Sequence, residues 1–514
     1  MLNEQSYIEK FTDEMLYKYG LNLNDKEFVK YLVDRAINEK LYTSTNDYQH
    51  NLMHIEKVIT YTLMIINKMN NSLINKKLLL YAALYHDIGK TIGASNHEHG
   101  LVGVTEFRKM MKYKLDSKEL EIISLLIFQH AEESDIINFS NDFFSKEEQK
   151  SIQLMSNILK DADALDRNRF NTIAPFGCCD ANKLRTSEAK EVFKLTDSFY
   201  QDYYRTIIEE KEKECGKKIL NNYELLNHWI KEYHDGKENL FHASLNPCVD
   251  ILRPNESTQK GSYVYAGINP INCMAMASFR SSLIFPRAKI NGIDSIIEIF
   301  PNLIHQTLDS KYITFYKLPN DKFHEYIADA TAAPTREWIS KESVEPVEQI
   351  SFKVNDLLNY LNLTNQFKVA HDYSKERQFE SYVQAFRIYI WGIKHLKDNP
   401  KCMNEKWESA QKMIEYYSHD NKILKIMNNI KKDVDNEINL YISNFKLQNG
   451  REPHYDNEKE CLVPILQLFE KKYYIKDKDG KKKLNYDYIY SLNVNDKGEN
   501  FYEEFEMSKK GKTK

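Results

Sequence analysis

Along the first half of the chain, apolar residues recur at the three- or four-residue spacing of helices that pack against a core. Val58 and Ile65, for example, fall on one helical face, and further apolar runs end directly before His86 and His130. Polar residues that end apolar helices can project ligands into the core of a helical bundle. The pattern therefore predicts an all-α bundle over residues 1–235, with polar chemistry at its helix ends.

The pattern changes near residue 240. Short runs of β-branched and aromatic residues follow, such as 262–266 and 312–316, and turn signals separate them. Helical spacing returns after about residue 370. We therefore expect a multidomain chain, with a small α+β domain over residues 238–365 and a helical C-terminal region over residues 370–514. The length of 514 residues agrees, because one domain usually holds about 100–200 residues.

The composition narrows the classes of partner. The net charge is −4, so nucleic acid is not indicated as a partner by the overall charge. There is no run of about 18 apolar residues, so we expect no membrane-spanning helix. The N-terminus lacks a signal-peptide pattern, and the seven cysteines form no CxxC pair, as is usual in a reducing cytosol. These features predict a cytoplasmic protein without a membrane partner.

An adjacent imidazole and carboxylate, His86 and Asp87, form the most distinctive polar feature of the sequence. Both side chains can reach one divalent cation if the preceding helix ends there. His54 lies within an earlier predicted helix, and Asp163 lies within a later acidic phrase. Two imidazoles and two carboxylates would hold a divalent ion and leave coordination positions for water and substrate.

The order His, His-Asp, Asp on predicted helices resembles the HD superfamily of metal-dependent phosphohydrolases. The phrases HIEKV, AALYHDIGK and KDADALDR carry the resemblance, which spans roughly residues 45 to 175. It implies an all-α HD-type helical bundle with a metal at its centre. By motif position, it also implies four metal ligands, which are His54, His86, Asp87 and Asp163.

Two of these ligands have a rival nearby in the sequence. His50 lies one turn before His54 on the same helical face, so it competes for the same role. Asp161 lies close before Asp163. We prefer Asp163 because it takes the position of the aspartate in the family's Ala-Asp-x-Leu phrase.

The reaction that the resemblance implies is hydrolysis of a phosphate ester. A metal-bound water has a lowered pKa and attacks at neutral pH, while the same ion polarises a phosphoryl oxygen. In this hypothesis Asp87 and Lys90 are catalytic, and Lys90 and Arg167 bind the substrate phosphate. The substrate is then a phosphate-containing small molecule such as a nucleotide, and the enzyme is a phosphatase or phosphodiesterase. The sequence does not distinguish Mn, Fe, Mg, Ni or Zn as the metal.

Two further histidines, His99 and His130, indicate a second divalent ion. A binuclear subset of the superfamily has extra histidines between the His-Asp pair and the last aspartate, and Asp87 would then bridge the two ions. Gln129 stands where the cyclic-dinucleotide phosphodiesterases usually have the first histidine of a pair, which argues against that branch. The ligands also resemble those of mixed-valent di-iron oxygenases built on this fold, which stay an alternative to hydrolysis.

The middle region loosely resembles the bacterial ADP-ribosyltransferase-like fold. A histidine, a Tyr-x-Tyr-Ala strand and a later glutamate carry this resemblance, at His242, Tyr265 and Glu337. It implies that His242 grips the ribose of NAD, Tyr265 stacks on the nicotinamide and Glu337 orients the nucleophile. A further alternative follows, in which a nucleotide-sensing HD protein carries an ADP-ribosyltransferase-like effector domain.

Overall fold

The computed structural model describes most of the chain. The described residues are 5–42, 51–69, 71–92, 94, 98–139, 143–169, 178–257, 261–278, 284–298, 308, 311–327, 336–371, 421–454, 457, 459–476, 478, 480 and 482–492. They form a helical N-terminal region, then a region of small sheets, then helices toward the C-terminus. The predicted multidomain order, from an all-α bundle through an α+β region to a helical region, is confirmed.

Helices make up the described N-terminal region, apart from their connections and a single β-bridge from Leu220 to Ser351. Those before the first strand are α1 (Asp13–Lys18), α2 (Leu23–Asn38), α3 (Leu52–Met69), α4 (Lys76–Tyr85), α5 (Ile88–Thr91), α6 (His99–Met111), α7 (Ser117–His130), α8 (Lys146–Asp166), α9 (Ser187–Phe193), α10 (Thr196–Cys215) and α11 (Tyr223–His234). Short 3-10 helices add Ile8–Lys10, Arg167–Arg169 and Ala181–Lys183. The bundle is built around α3, which is buried at every position from 53 to 65 and packs against α2, α4, α8 and α9.

Local sequence signals set the ends of the helices that carry the polar residues. The Asn75 side chain accepts a hydrogen bond from the backbone of Leu78 and so begins α4. Ser145 and Glu148 form a reciprocal capping box at the start of α8. Because α4 ends at Tyr85 and α5 begins at Ile88, the His-Asp pair lies at the junction of two helices rather than within one.

Within its described residues, the α+β region contains small sheets and two helices. Its strands are β1 (Leu240–Ser244), β2 (Asn255–Ser257), β3 (Gly261–Ala266), β4 (Ile284–Ile290), β5 (Ile293–Glu298), β6 (Tyr312–Leu318), β7 (His324–Ile327), β8 (Arg336–Ser340), β9 (Glu348–Lys353) and β10 (Lys368–His371). The helices are α12 (Pro270–Ser278) and α13 (Val354–Leu363), with a 3-10 turn at Asn320–Lys322. The strand orders are β1-β6-β9 and β2-β3-β8-β7, both antiparallel, and β10-β5-β4, in which β10 and β5 are parallel.

The described C-terminal part adds three helices and a two-stranded ladder. These elements are α14 (Asn421–Asn449), α15 (Leu462–Tyr473), β11 (Tyr474–Lys476), β12 (Lys482–Leu484) and α16 (Tyr486–Ser491). Residues of α14 and α15 share one hydrophobic core with the β1-β6-β9 sheet, and so does Trp229 of α11. This hydrophobic core therefore includes helices that precede and helices that follow the predicted α+β domain. The domain boundaries at 235 and 370 stay predictions.

Candidate metal centre

Three buried side chains from two parts of the bundle meet at its centre. His54 lies in the first turn of α3, while His86 and Asp87 lie at the junction of α4 and α5. The Nε2 atoms of His54 and His86 lie 3.3 Å and 3.4 Å from Oδ2 of Asp87. One carboxylate oxygen therefore faces two imidazole nitrogens, which is an arrangement that a shared divalent cation requires.

Helix α8 brings a second carboxylate to the same place. Oδ1 of Asp163 lies 3.4 Å from Nε2 of His54 and 3.9 Å from Nε2 of His86. The Asp163 side chain is 37% exposed, whereas that of His54 is 2% exposed, so Asp163 marks the open side of the centre. Asp161 instead accepts a 2.8 Å hydrogen bond from the backbone N–H of Thr186. The structure thus places Asp163, and not Asp161, beside the histidines.

The other oxygen of Asp87 faces a second pair of histidines. His99 begins α6 and His130 ends α7, and their Nε2 atoms lie 3.7 Å and 3.4 Å from Oδ1 of Asp87. These two Nε2 atoms are 3.1 Å apart. Burial opposes ionisation of Asp87, but the imidazoles of His86, His130 and His54 more than offset it and hold the pKa well below its usual range. Asp87 is therefore an anion between two pairs of histidines, His54 with His86 and His99 with His130.

The donor atoms fit divalent metal ions. In the group of His54, His86 and Asp87, and in that of Asp87, His99 and His130, the ligand atoms lie within 4.8 Å of one another. Buried Nε2 of His86 has no hydrogen-bond partner among the described residues. Imidazole nitrogens with carboxylate oxygens are a donor set that suits first-row divalent metals, and a cation would satisfy the buried nitrogen.

The ring orientation of His86 follows from its second nitrogen. Nδ1 of His86 lies 2.8 Å from the backbone oxygen of Ala83, to which it donates when it carries the proton. That tautomer leaves the lone pair on Nε2, directed toward Asp87 and Asp163. A ligating histidine usually has such an acceptor behind it, because the acceptor fixes the tautomer and the ring plane.

Asp166 supports His54 from behind. Its Oδ2 lies 2.7 Å from Nδ1 of His54, and its Oδ1 lies 2.9 Å from Nζ of Lys57. Arg169 contacts the same carboxylate. Burial alone would raise the pKa of Asp166, but Arg169, Lys57 and His54 together lower it well below the usual range. Sequence reasoning missed Lys57, although a lysine one turn after His54 in a largely apolar helix is a signal for a buried ion pair.

The glycine two residues after the His-Asp pair, Gly89, lies where α5 approaches the backbone of α6. A Cβ atom added to Gly89 would lie 2.2 Å from the backbone oxygen of His99 and 2.9 Å from the backbone nitrogen of Gly103. Backbone atoms cannot move aside as the tip of a side chain can, so only glycine permits this approach of α5 to α6. The close approach brings the first residue of α6, His99, to Asp87.

The predicted phosphate-binding residues lie near the ligand helices. Lys90 is half-buried on α5, three residues after Asp87. Arg167 is exposed at the C-terminal end of α8. Their proposed contacts with a substrate stay predictions. His50, the rival of His54, lies outside the described residues.

The residues predicted to bind NAD lie on strands of the α+β region and not on the helices of the metal centre. His242 is half-buried on β1, and its Nδ1 lies 2.8 Å from the backbone oxygen of Tyr265 on β3. Burial lowers the pKa of His242, so it is neutral at pH 7. Glu337 lies on β8 opposite Tyr326 of β7, and its side chain lies outside the described part. A resemblance to ADP-ribosyltransferases is not shown, and NAD binding stays a prediction.

Comparison with known proteins finds a family match in the N-terminal helical region. The sequence model of the HD domain matches residues 51–168, the segment that contains all six of these histidines and aspartates. An uncharacterized protein of Clostridium beijerinckii is 29% identical over 115 residues, which cover 22% of this chain and 71% of that protein. No solved structure matches the chain. Within the described residues, no helix combines the length and the hydropathy that crossing a bilayer requires.

Proposed function

Because the N-terminal part of the chain belongs to the HD-domain superfamily, we propose that it is a metal-dependent phosphohydrolase acting on a nucleotide or another phosphate ester. The observation that carries the proposal is the position of Asp87 between two groups of imidazoles. Each group has the composition of a site for one divalent ion. The arrangement supports a two-ion centre in which the ions share one carboxylate.

The ligands divide between the two proposed sites. His54, His86, Asp87 and Asp163 would hold the first ion, and Asp87 with His99 and His130 would hold the second. Mn, Fe, Mg, Ni and Zn stay possible occupants. When bound, such ions lower the pKa of a coordinated water and polarise a phosphoryl oxygen.

The protein side chains determine from where a substrate approaches. Asp87 and His86 are buried, so bulk water does not reach the centre from behind them. Asp163 is the more exposed carboxylate, and a phosphate ester would enter on its side. Lys90 and Arg167 lie on the adjoining elements and would supply positive charge to the phosphate. Hydrogen bonds behind His54 and His86 would keep their Nε2 atoms aimed inward during turnover.

A phosphate-containing small molecule is the proposed partner, with a cytoplasmic location. What supports this location is the cysteine pattern of the sequence, which has no CxxC pair and no disulfide framework. The proposal includes no membrane partner. The α+β region is not part of the proposed catalytic centre.

A mixed-valent di-iron oxygenase is the second candidate. The observation that favours it is the combination of four histidines with two aspartates, one of which is positioned to bridge. Nitrogen-rich binuclear sites of this type suit iron. The two candidates differ in their co-reactant, since hydrolysis consumes water and the oxygenase consumes dioxygen.

The test uses the purified full-length chain with each of the candidate metals. We expect release of phosphate from a nucleotide panel, or of nitrophenolate from bis(4-nitrophenyl) phosphate, at equal rates with and without oxygen. His86→Ala should abolish the reaction, whereas His228→Ala, at an exposed position on α11, should leave it unchanged. Full hydrolysis by His86→Ala would remove the proposal. Oxygen uptake with iron, and no hydrolysis, would favour the oxygenase instead.

A further inference from the structure

A buried lysine on α8, Lys160, donates hydrogen bonds to the turn that follows His130 at the end of α7. The side chain of Lys160 is 3% exposed. Its Nζ donates hydrogen bonds of 2.8 Å and 2.7 Å to the backbone oxygens of Glu132 and Ser134. It also lies 3.3 Å from Oδ1 of Asp135. All three acceptors belong to the segment directly after His130, the last residue of α7.

An ion-pair network fixes the same turn from a second direction. Nε of Arg185 lies 2.7 Å from Oδ1 of Asp135, and its Nη1 lies 3.3 Å from Oδ1 of Asp161 on α8. Gln153 of α8 donates a 2.6 Å hydrogen bond to the backbone oxygen of Asp135. The turn is therefore attached to α8 through Lys160 and Gln153 and, by way of Arg185, through Asp161; Lys160 is the buried side chain that bonds the turn directly.

We propose that Lys160 is a positioning residue for the second metal site, formed by Asp87, His99 and His130. The inference rests on the proposed two-ion centre. The carbonyl groups of Glu132 and Ser134 lie in the turn after α7, beyond the end of the helix, so a donor from another element fixes this turn. Lys160 supplies that donor beyond α7 and so holds the end of the helix from which His130 reaches Asp87.

The first metal site does not depend on this turn. His54 comes from α3, and His86 and Asp87 come from the junction of α4 and α5. Asp163 lies three residues after Lys160, but the continuous hydrogen-bonded helix α8 carries it. Loss of the Lys160 ammonium should therefore affect the two proposed sites unequally.

The experiment counts Mn²⁺ ions bound by the full-length chain and by Lys160→Met, using calorimetric titration and elemental analysis. We expect two ions in the wild type, and in the variant one ion of unchanged affinity with a second that binds at least tenfold more weakly. Lys118→Met is the matched control, because Lys118 is 48% exposed near the start of α7 and pairs with Glu148. It should bind both ions like the wild type.

Two further variants keep the assignment falsifiable. Lys160→Arg retains the donor charge and should recover much of the second affinity. If Lys160→Met does not fold, Asp135→Ala at a 50% exposed side chain takes its place and should weaken only the second ion. Two equally tight ions in wild type and variant would overturn this assignment alone. A wild type that binds no ion would overturn the proposed function as well.

Discussion

The Nδ1 atom of His54 lies 2.7 Å from Oδ2 of Asp166, which is 112 residues later in the chain. This contact joins the start of α3 to the end of α8, the two helices that bring His54 and Asp163 together. The same carboxylate pairs with Lys57. A charged acceptor behind an imidazole orients the ring and raises the basicity of its other nitrogen.

Asp166→Asn should weaken binding of the first metal ion by about 10–100-fold, because a neutral amide is a poorer partner for His54. Lys57→Met is the comparison variant, since it also breaks the 2.9 Å pair with Asp166 but leaves the contact to His54. Metal titration with a competing chelator measures both. Equal metal affinities in the two variants would contradict this role of Asp166.

Gly89→Ala should separate α5 from α6 and move His99 away from Asp87. The added Cβ would lie 2.2 Å from a backbone oxygen, so the two helices must shift apart. We expect the second ion to bind at least tenfold more weakly in a metal titration. Gly103→Ala is the milder control, because its new Cβ would meet Ile127 at 3.3 Å, an atom of a side chain. The prediction fails if Gly89→Ala binds both ions as tightly as the control.

Short sequence phrases made the centre of the site predictable. His86 and Asp87 are adjacent, and the helices that carry His54 and His130 show clear apolar spacing, so helix ends could be placed from the sequence. The structure does bring these side chains together. The all-α character of the bundle was predictable for the same reason.

Contacts between distant residues were not predictable in this way. In the sequence, nothing distinguishes Lys160 from an exposed lysine of a helix. Only the packing of α8 against α7 shows that it binds the turn after His130. Trp229 lies in a helix that precedes the predicted boundary at 235, yet it packs on the β1-β6-β9 sheet. Periodicity reveals that a helix has an apolar face but not which partner covers that face.

Glu56→Ala should destabilise the bundle without altering the metal ligands. The buried carboxylate of Glu56 accepts hydrogen bonds from the hydroxyls of Ser6 and Tyr203 and from the backbone N–H groups of Tyr7 and Ile8. Each buried donor left without a partner costs about 1–3 kcal/mol, so we expect a loss of about 3 kcal/mol or more. Urea unfolding followed by circular dichroism measures the change.

The control for this prediction is Glu9→Ala in the same N-terminal segment. Glu9 forms an ion pair with Lys30 at 2.7 Å, and its side chain is 37% exposed. Such an exposed pair contributes about 0–1 kcal/mol, so the variant should unfold near the wild-type midpoint. Equal destabilisation by the two substitutions would show that the hydrogen bonds of Glu56 are not the cause.

The effect of Lys311 on the free energy of unfolding should depend on pH. This buried residue precedes β6, and its ammonium donates to the backbone oxygen of Asn168 and lies 4.5 Å from the ring centroid of Tyr200. Burial lowers the pKa of Lys311 to about 8 from the usual 10.5. The folded state therefore releases a proton at lower pH than the unfolded state does, which makes folding more favourable as the pH rises from about 8 to 10.5.

The matching experiment compares the wild type with Lys311→Met by urea unfolding at several pH values. Below pH 8 the lysine is protonated in both states, and the cost of burying its charge is complete. Between pH 8 and 10.5 the stability of the wild type relative to the variant should increase by up to about 3 kcal/mol. A difference that stays constant over this range would contradict a depressed pKa at Lys311.

The most direct test of the two-ion centre is a count of metal ions per chain in three proteins. Elemental analysis after equilibration with Mn²⁺ should find two ions in the wild type and one in His99→Ala. Asp87→Ala should bind neither ion tightly, because both groups of ligands use this carboxylate. Two tightly bound ions in Asp87→Ala, or none in the wild type, would contradict the central claim.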